Sequence, residues 1–67
     1  MEISDLINSG EISNLTVWRE PTQGFHIDFV MEEIDEPIES SELFTSLEDA
    51  LSWILKTYAE KIEELIQ

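Results

Sequence analysis

The chain has 67 residues, 42% of them hydrophobic, which suits one small domain with a single thin core and little room for a substrate pocket. Sixteen acids face three bases, for a formal net charge of −13. Phosphate contacts need Lys and Arg, so this balance argues against direct binding to nucleic acid or to an anionic membrane. There is no cysteine, and with it no disulfide framework and no thiolate zinc site.

The opening Met1-Glu2-Ile3-Ser4-Asp5 is acidic where a secretory signal is basic, so a cytoplasmic location is expected. Ile3, Leu6 and Ile7 fall at i, i+3 and i+4, and Gly10 follows. This spacing predicts a short amphipathic helix over residues 2–9. Leu15 to Arg19 alternates and is rich in β-formers, predicting a strand. Pro21-Thr22-Gln23-Gly24 is a turn sequence. Phe25 to Met31 alternates again, with Phe25, Ile27, Phe29 and Met31 on one face and His26, Asp28 and Val30 on the other. Two strands around a short turn make an antiparallel hairpin. Trp18 differs in parity from Leu15 and Val17 and is expected across from Val30. Glu36-Pro37 reads as a break, placing a third strand somewhere in Ile38 to Phe44.

The last predicted element is a helix of about 20 residues. Ser46, or Thr45, is its N-cap, with Glu48 and Asp49 in the first turn, where the helix dipole favours acids. Leu47, Ala50, Leu51, Ile54, Leu55, Tyr58, Ile62, Leu65 and Ile66 follow at helical spacing. This helix is expected to cover the apolar face of the sheet, because a lone hairpin is marginal in water. The fold class is therefore α+β. Residues 1–67 form a single acidic domain with a short N-terminal helix, a hairpin or three-stranded sheet, and a long C-terminal amphipathic helix.

No Lys or Arg lies between Arg19 and Lys56, an interval with ten acids. Its densest part holds Glu32, Glu33, Asp35, Glu36, Glu39 and Glu42. A surface made only for solubility intersperses both signs. Clustering one sign builds a potential that steers a cationic partner. These six residues, with Asp28 on the neighbouring strand, are the candidate partner-binding set. A helical wheel centred on the apolar stripe puts Trp53 beside Asp49, Lys56, Glu60 and Glu64. There it is either an exposed anchor of the same interface or a side chain folded back onto the sheet edge or first helix.

Catalysis has little to work with. His26 and Asp28 share a strand face, but nothing suggests a nucleophile or pocket beside them, and no enzyme activity is expected. The acids at 32–36 lack the spacing and central glycine of a calcium loop. No metal or cofactor is expected.

The order of elements, the opening Ile3-Ser4-Asp5-Leu6-Ile7, the size and the acidity together resemble small phage-encoded anti-CRISPR proteins, which include inhibitors that mimic DNA. That resemblance implies a host-cytoplasmic inhibitor that occupies the basic nucleic-acid site of its target. Thr45-Ser46-Leu47-Glu48-Asp49-Ala50-Leu51 also looks like the strand-to-helix junction of HicB-type antitoxins. The Gly- and Pro-rich loop that precedes that junction in the family is absent here. This second likeness implies an antitoxin-like or adaptor module docking through its C-terminal helix. The expected partner is a basic protein, one that itself binds nucleic acid; a homodimer is left open.

Overall fold

The computed structural model describes residues 2–66. The elements run α1 (Ile3–Asn8), β1 (Ile12–Glu20), β2 (Gly24–Met31), β3 (Ile34–Glu39) and α2 (Leu47–Leu65). The strands form one antiparallel sheet in the order β1-β2-β3. This is the expected α+β architecture, with the third strand formed.

α1 buries Leu6 and half-buries Ile3. The helix stops where Ser9 Oγ donates to the Leu6 carbonyl at 3.2 Å and Gly10 takes a φ of 85°. β1 starts earlier than its alternating pattern implies. Asn14 adopts a φ of 51°, in the left-handed region Asn tolerates, and the register shifts between Ser13 and Thr16. That bulge lets the strand begin at Ile12, which is buried opposite Met31.

The β1–β2 turn is closed by the Gln23 N–H donating to the Glu20 carbonyl at 3.3 Å. Gly24 follows at a φ of 114°, and a Cβ there would collide with the Phe44 carbonyl oxygen. Only glycine satisfies both constraints. The central strand buries alternate side chains, Ile27, Phe29 and Met31, beneath the helix. Trp18 lies across from His26, with ring centroids 6.3 Å apart, and not across from Val30. The tight turn after Glu20 fixes Trp18 opposite His26, while Val30 faces Ser13 beyond the Asn14 bulge and Pro37 on its other side.

The third strand also departs from expectation. It runs from Ile34 to Glu39, directly after a two-residue turn at Glu32-Glu33, instead of beginning at Ile38. Pro37 does not end the strand. It sits in an edge strand next to a register shift, where a missing N–H is tolerated. The line of pairing then continues past the strand. Ser40 N–H donates to the Ile27 carbonyl at 2.9 Å, and Phe25 and Phe44 exchange both backbone hydrogen bonds at 3.0 and 2.7 Å. Phe44 is thus tied to the sheet through an isolated bridge, outside the third strand.

Ser46 is the N-cap of α2; its side chain accepts from the Asp49 N–H at 3.2 Å. Ala50, Ile54 and Tyr58, at i, i+4 and i+8, form the helix's buried line. With Leu6, Ile12, Ile27, Phe29, Met31 and Phe44 they make one core between the helices and one face of the sheet. The other sheet face is uncovered by any element of the chain and carries Thr16, Trp18, His26, Asp28, Val30 and Glu39.

Candidate functional site: an acidic sheet edge

The topology strings the six clustered acids along one edge of the sheet. Glu32 and Glu33 form the tight turn entering β3. Asp35, Glu36 and Glu39 lie on β3 itself, which has no strand beyond it. Glu42 lies in the loop that leads to Phe44. All six are exposed. A six-residue strand is roughly 20 Å long, so with its flanking turns this edge carries carboxylates over at least that distance. The set is a line along an edge and not a compact patch. Its two ends meet different surroundings.

At the β2–β3 turn, the Glu32 N–H donates to the Glu11 carbonyl at 3.0 Å, which draws Glu11 to Glu32 and Glu33. The buried Tyr58 ring comes to the same end of the sheet. Burial raises its phenol pKa above the ordinary 10.0, and the negative charges of Glu11 and Glu33, a hydrogen bond to Glu11 and the charge of Glu32 push in the same direction. At the far end, Glu42 shares a shallow cleft with Phe44, Asp49, Trp53 and Lys56. Among the described residues the one ion pair is Lys61 to Glu64 at 3.7 Å, so none of the six acids is ion-paired, and the one base near them is Lys56 in the Glu42 cleft.

Asp28 is placed differently from the six. It sits half-buried on the open sheet face, between Thr16 on β1 and Glu39 on β3. Its Oδ1 is shielded from solvent and accepts no hydrogen bond among the described residues. Two carboxylates directly opposite each other across a strand pair repel. Asp28 and Glu39 thus connect the acidic edge to the open face. His26 is half-buried beside Trp18, and no hydrogen bond joins it to Asp28 among the described residues.

Trp53 is not on the wet face of α2. It is half-buried, edge-on to Phe29 at 5.8 Å and an interplanar angle of 78°, and 5.9 Å from Phe44. The sheet-facing side of α2 is centred on Ala50, Ile54 and Tyr58, which turns Trp53 inward. The helix leucines do not define that side, and two of them are left outside: Leu47 is 59% exposed and Leu65 51%. Leu55, Tyr58, Ala59, Ile62 and Ile66 line an apolar groove on the second half of the helix.

One surface had no counterpart in the sequence reading. Every residue of β1 from Ser13 to Glu20 is exposed, including Leu15, Val17 and Trp18. Its signal was present as the uncharged run Ile12–Trp18 in an otherwise acidic chain.

Among the described residues no group of three or more His, Asp or Glu is arranged to hold a metal ion. No described helix is long and apolar enough to cross a membrane. No protein-family model matches the chain, and comparison with curated proteins and with solved structures finds no match to either.

Proposed function

We propose that this domain is a protein inhibitor that occupies the basic nucleic-acid-binding site of its target through the acidic edge of its sheet. The observation that carries the reading is the line of carboxylates, none ion-paired among the described residues, at Glu32, Glu33, Asp35, Glu36, Glu39 and Glu42, extended onto the open face by Asp28. On β3 the acids Asp35, Glu36 and Glu39 are unevenly spaced, with Pro37 and Ile38 between them, so the edge offers a basic groove charge of the right sign spread over roughly 20 Å. A phage-encoded anti-CRISPR or other anti-defence role in the host cytoplasm is the specific form of this proposal, and the domain needs no catalysis of its own to serve it.

Binding to an RNA-guided nuclease, or to another nucleic-acid-binding protein, tests the reading. Binding should compete with the target's own DNA or RNA. It should weaken at least about tenfold between low and high salt, because the contact is between exposed charges. Changing the six acids to Gln should abolish it while circular dichroism stays unchanged. Binding that survives those six substitutions overturns the proposal.

A second reading rests on the apolar groove of α2, which suits an antitoxin-like or adaptor contact. It predicts that Ile62→Asp abolishes partner binding and that added salt changes affinity little. Trp53→Ala is not a clean test of either reading, because that ring supports Phe29 and Phe44.

A further inference from the structure

We infer that β1 pairs antiparallel with β1 of a second copy of this chain, joining two three-stranded sheets into one of six strands. β1 ends the strand order, so its outer edge is free. A free edge is a template for another strand unless something blunts it. The opposite edge is blunted by Pro37, by the register shift beside it and by Asp35, Glu36 and Glu39. On β1 the one irregularity is the bulge at Asn14, which leaves Leu15 to Glu20 regular, exposed and rich in β-formers.

Charge identifies the occupant. Two chains of net charge −13 repel over most of their surfaces. Ile12–Trp18 carries no ionisable side chain, and Arg19 and Glu20 cancel, so this strand is where a second copy meets no net charge. A cationic partner drawn to the acidic edge finds no carboxylate along that run. Antiparallel pairing also carries the C-terminal end of each β1 to the N-terminal end of the other. Pairing the regular segment Leu15 to Glu20 about its own centre sets Arg19 opposite Thr16 of the second copy, where it meets no like charge, and the two-fold axis repeats the arrangement. In the joined sheet both β3 strands become outer edges. Strands spaced about 4.8 Å apart put those acidic edges about 24 Å from each other, beyond two Debye lengths at 0.1 M salt. The two-fold axis is perpendicular to the sheet, so both open faces stay on one side.

The inference does not depend on the proposed target. Its salt dependence is opposite, which keeps the two separable: screening favours joining two acidic chains and weakens docking onto a basic groove. Sedimentation velocity across protein concentration, at low and high salt, should show a species of twice 7.8 kDa that grows with both. The double substitution Val17→Lys and Trp18→Lys places lysines on an exposed edge. It should weaken dimerisation at least about tenfold although it reduces the net negative charge, whereas charge relief alone would strengthen it. Ile66→Lys, just past the C-terminal end of α2, should leave dimerisation unchanged. Circular dichroism checks that each variant folds. A wild-type chain that stays monomeric up to millimolar concentration in high salt overturns the inference. So does a dimer that survives the β1 lysines, or one lost through Ile66→Lys instead.

Discussion

The two edges of this sheet are opposites built on the same central strand. The β3 edge carries an exposed line of acids and contains a proline and a register shift, so it offers charge and refuses a further strand. The β1 edge carries no net charge and leaves three large apolar side chains exposed, so it offers a strand and refuses ionic docking. Blunting one edge while leaving the other open would let a three-stranded sheet serve both proposed contacts without competition between them.

Both edges hang on β2, and the largest expected effect comes from removing what fixes it. Phe29→Ala should cost roughly 3–5 kcal/mol, because Phe29 is fully buried and supports Trp53. Thermal melting should show both edges lost together. Gly24→Ala acts on one side first. It forces a β-carbon into a left-handed backbone against the Phe44 carbonyl, and should cost roughly 2–3 kcal/mol. Hydrogen exchange at Phe25 and Phe44 should rise before exchange in β1 does. Ser46→Ala removes the α2 cap, for a loss of about 1 kcal/mol seen as a lower melting temperature.

Smaller effects separate the edges electrostatically. Glu39→Gln removes the repulsion with Asp28 and should stabilise the fold by about 0.5 kcal/mol in low salt, with the gain fading as salt is added. The smallest concerns Tyr58. Its pKa is raised in the folded chain by burial and by Glu11 and Glu33. The folded state therefore holds the phenolic proton more tightly than the unfolded one. That contribution to stability is present below the ordinary value of 10.0 and is lost as pH rises above it. An ultraviolet titration of the phenol should move back toward the ordinary value in Glu11→Gln.

The parts of this fold that were legible in the sequence are those where one principle acts alone. β2 alternates without interruption, and α2 combines a cap, acids in its first turn and a helical apolar period. The misplaced pieces are those where two signals compete. Glu32-Glu33 has no turn chemistry, yet the pairing of Met31 with Ile34 closes a tight turn there, because both side chains gain burial. Pro37 breaks most strands, but an edge strand does not need its N–H. Trp53 was readable either way, as an exposed anchor or folded back, because a wheel weights every leucine equally; the sheet is too narrow to bury Leu47 and Leu65, and the folded-back alternative is the one adopted. The acidic candidates were legible as a cluster in the chain. Their arrangement in a line followed from β3 starting at Ile34, four residues earlier than the pattern indicated. The β1 edge was unreadable from alternation, which describes a strand's faces and says nothing about its free side.

The two tryptophans give each part of the molecule its own optical signal. Trp53 is lodged against Phe29 and Phe44, while Trp18 stands 52% exposed on the open edge. Their emission bands should therefore differ in colour, blue for the interior ring and red for the exposed one. A Trp18→Phe chain would leave a single fluorophore following the folding of the core, and a Trp53→Phe chain one that follows what settles on β1.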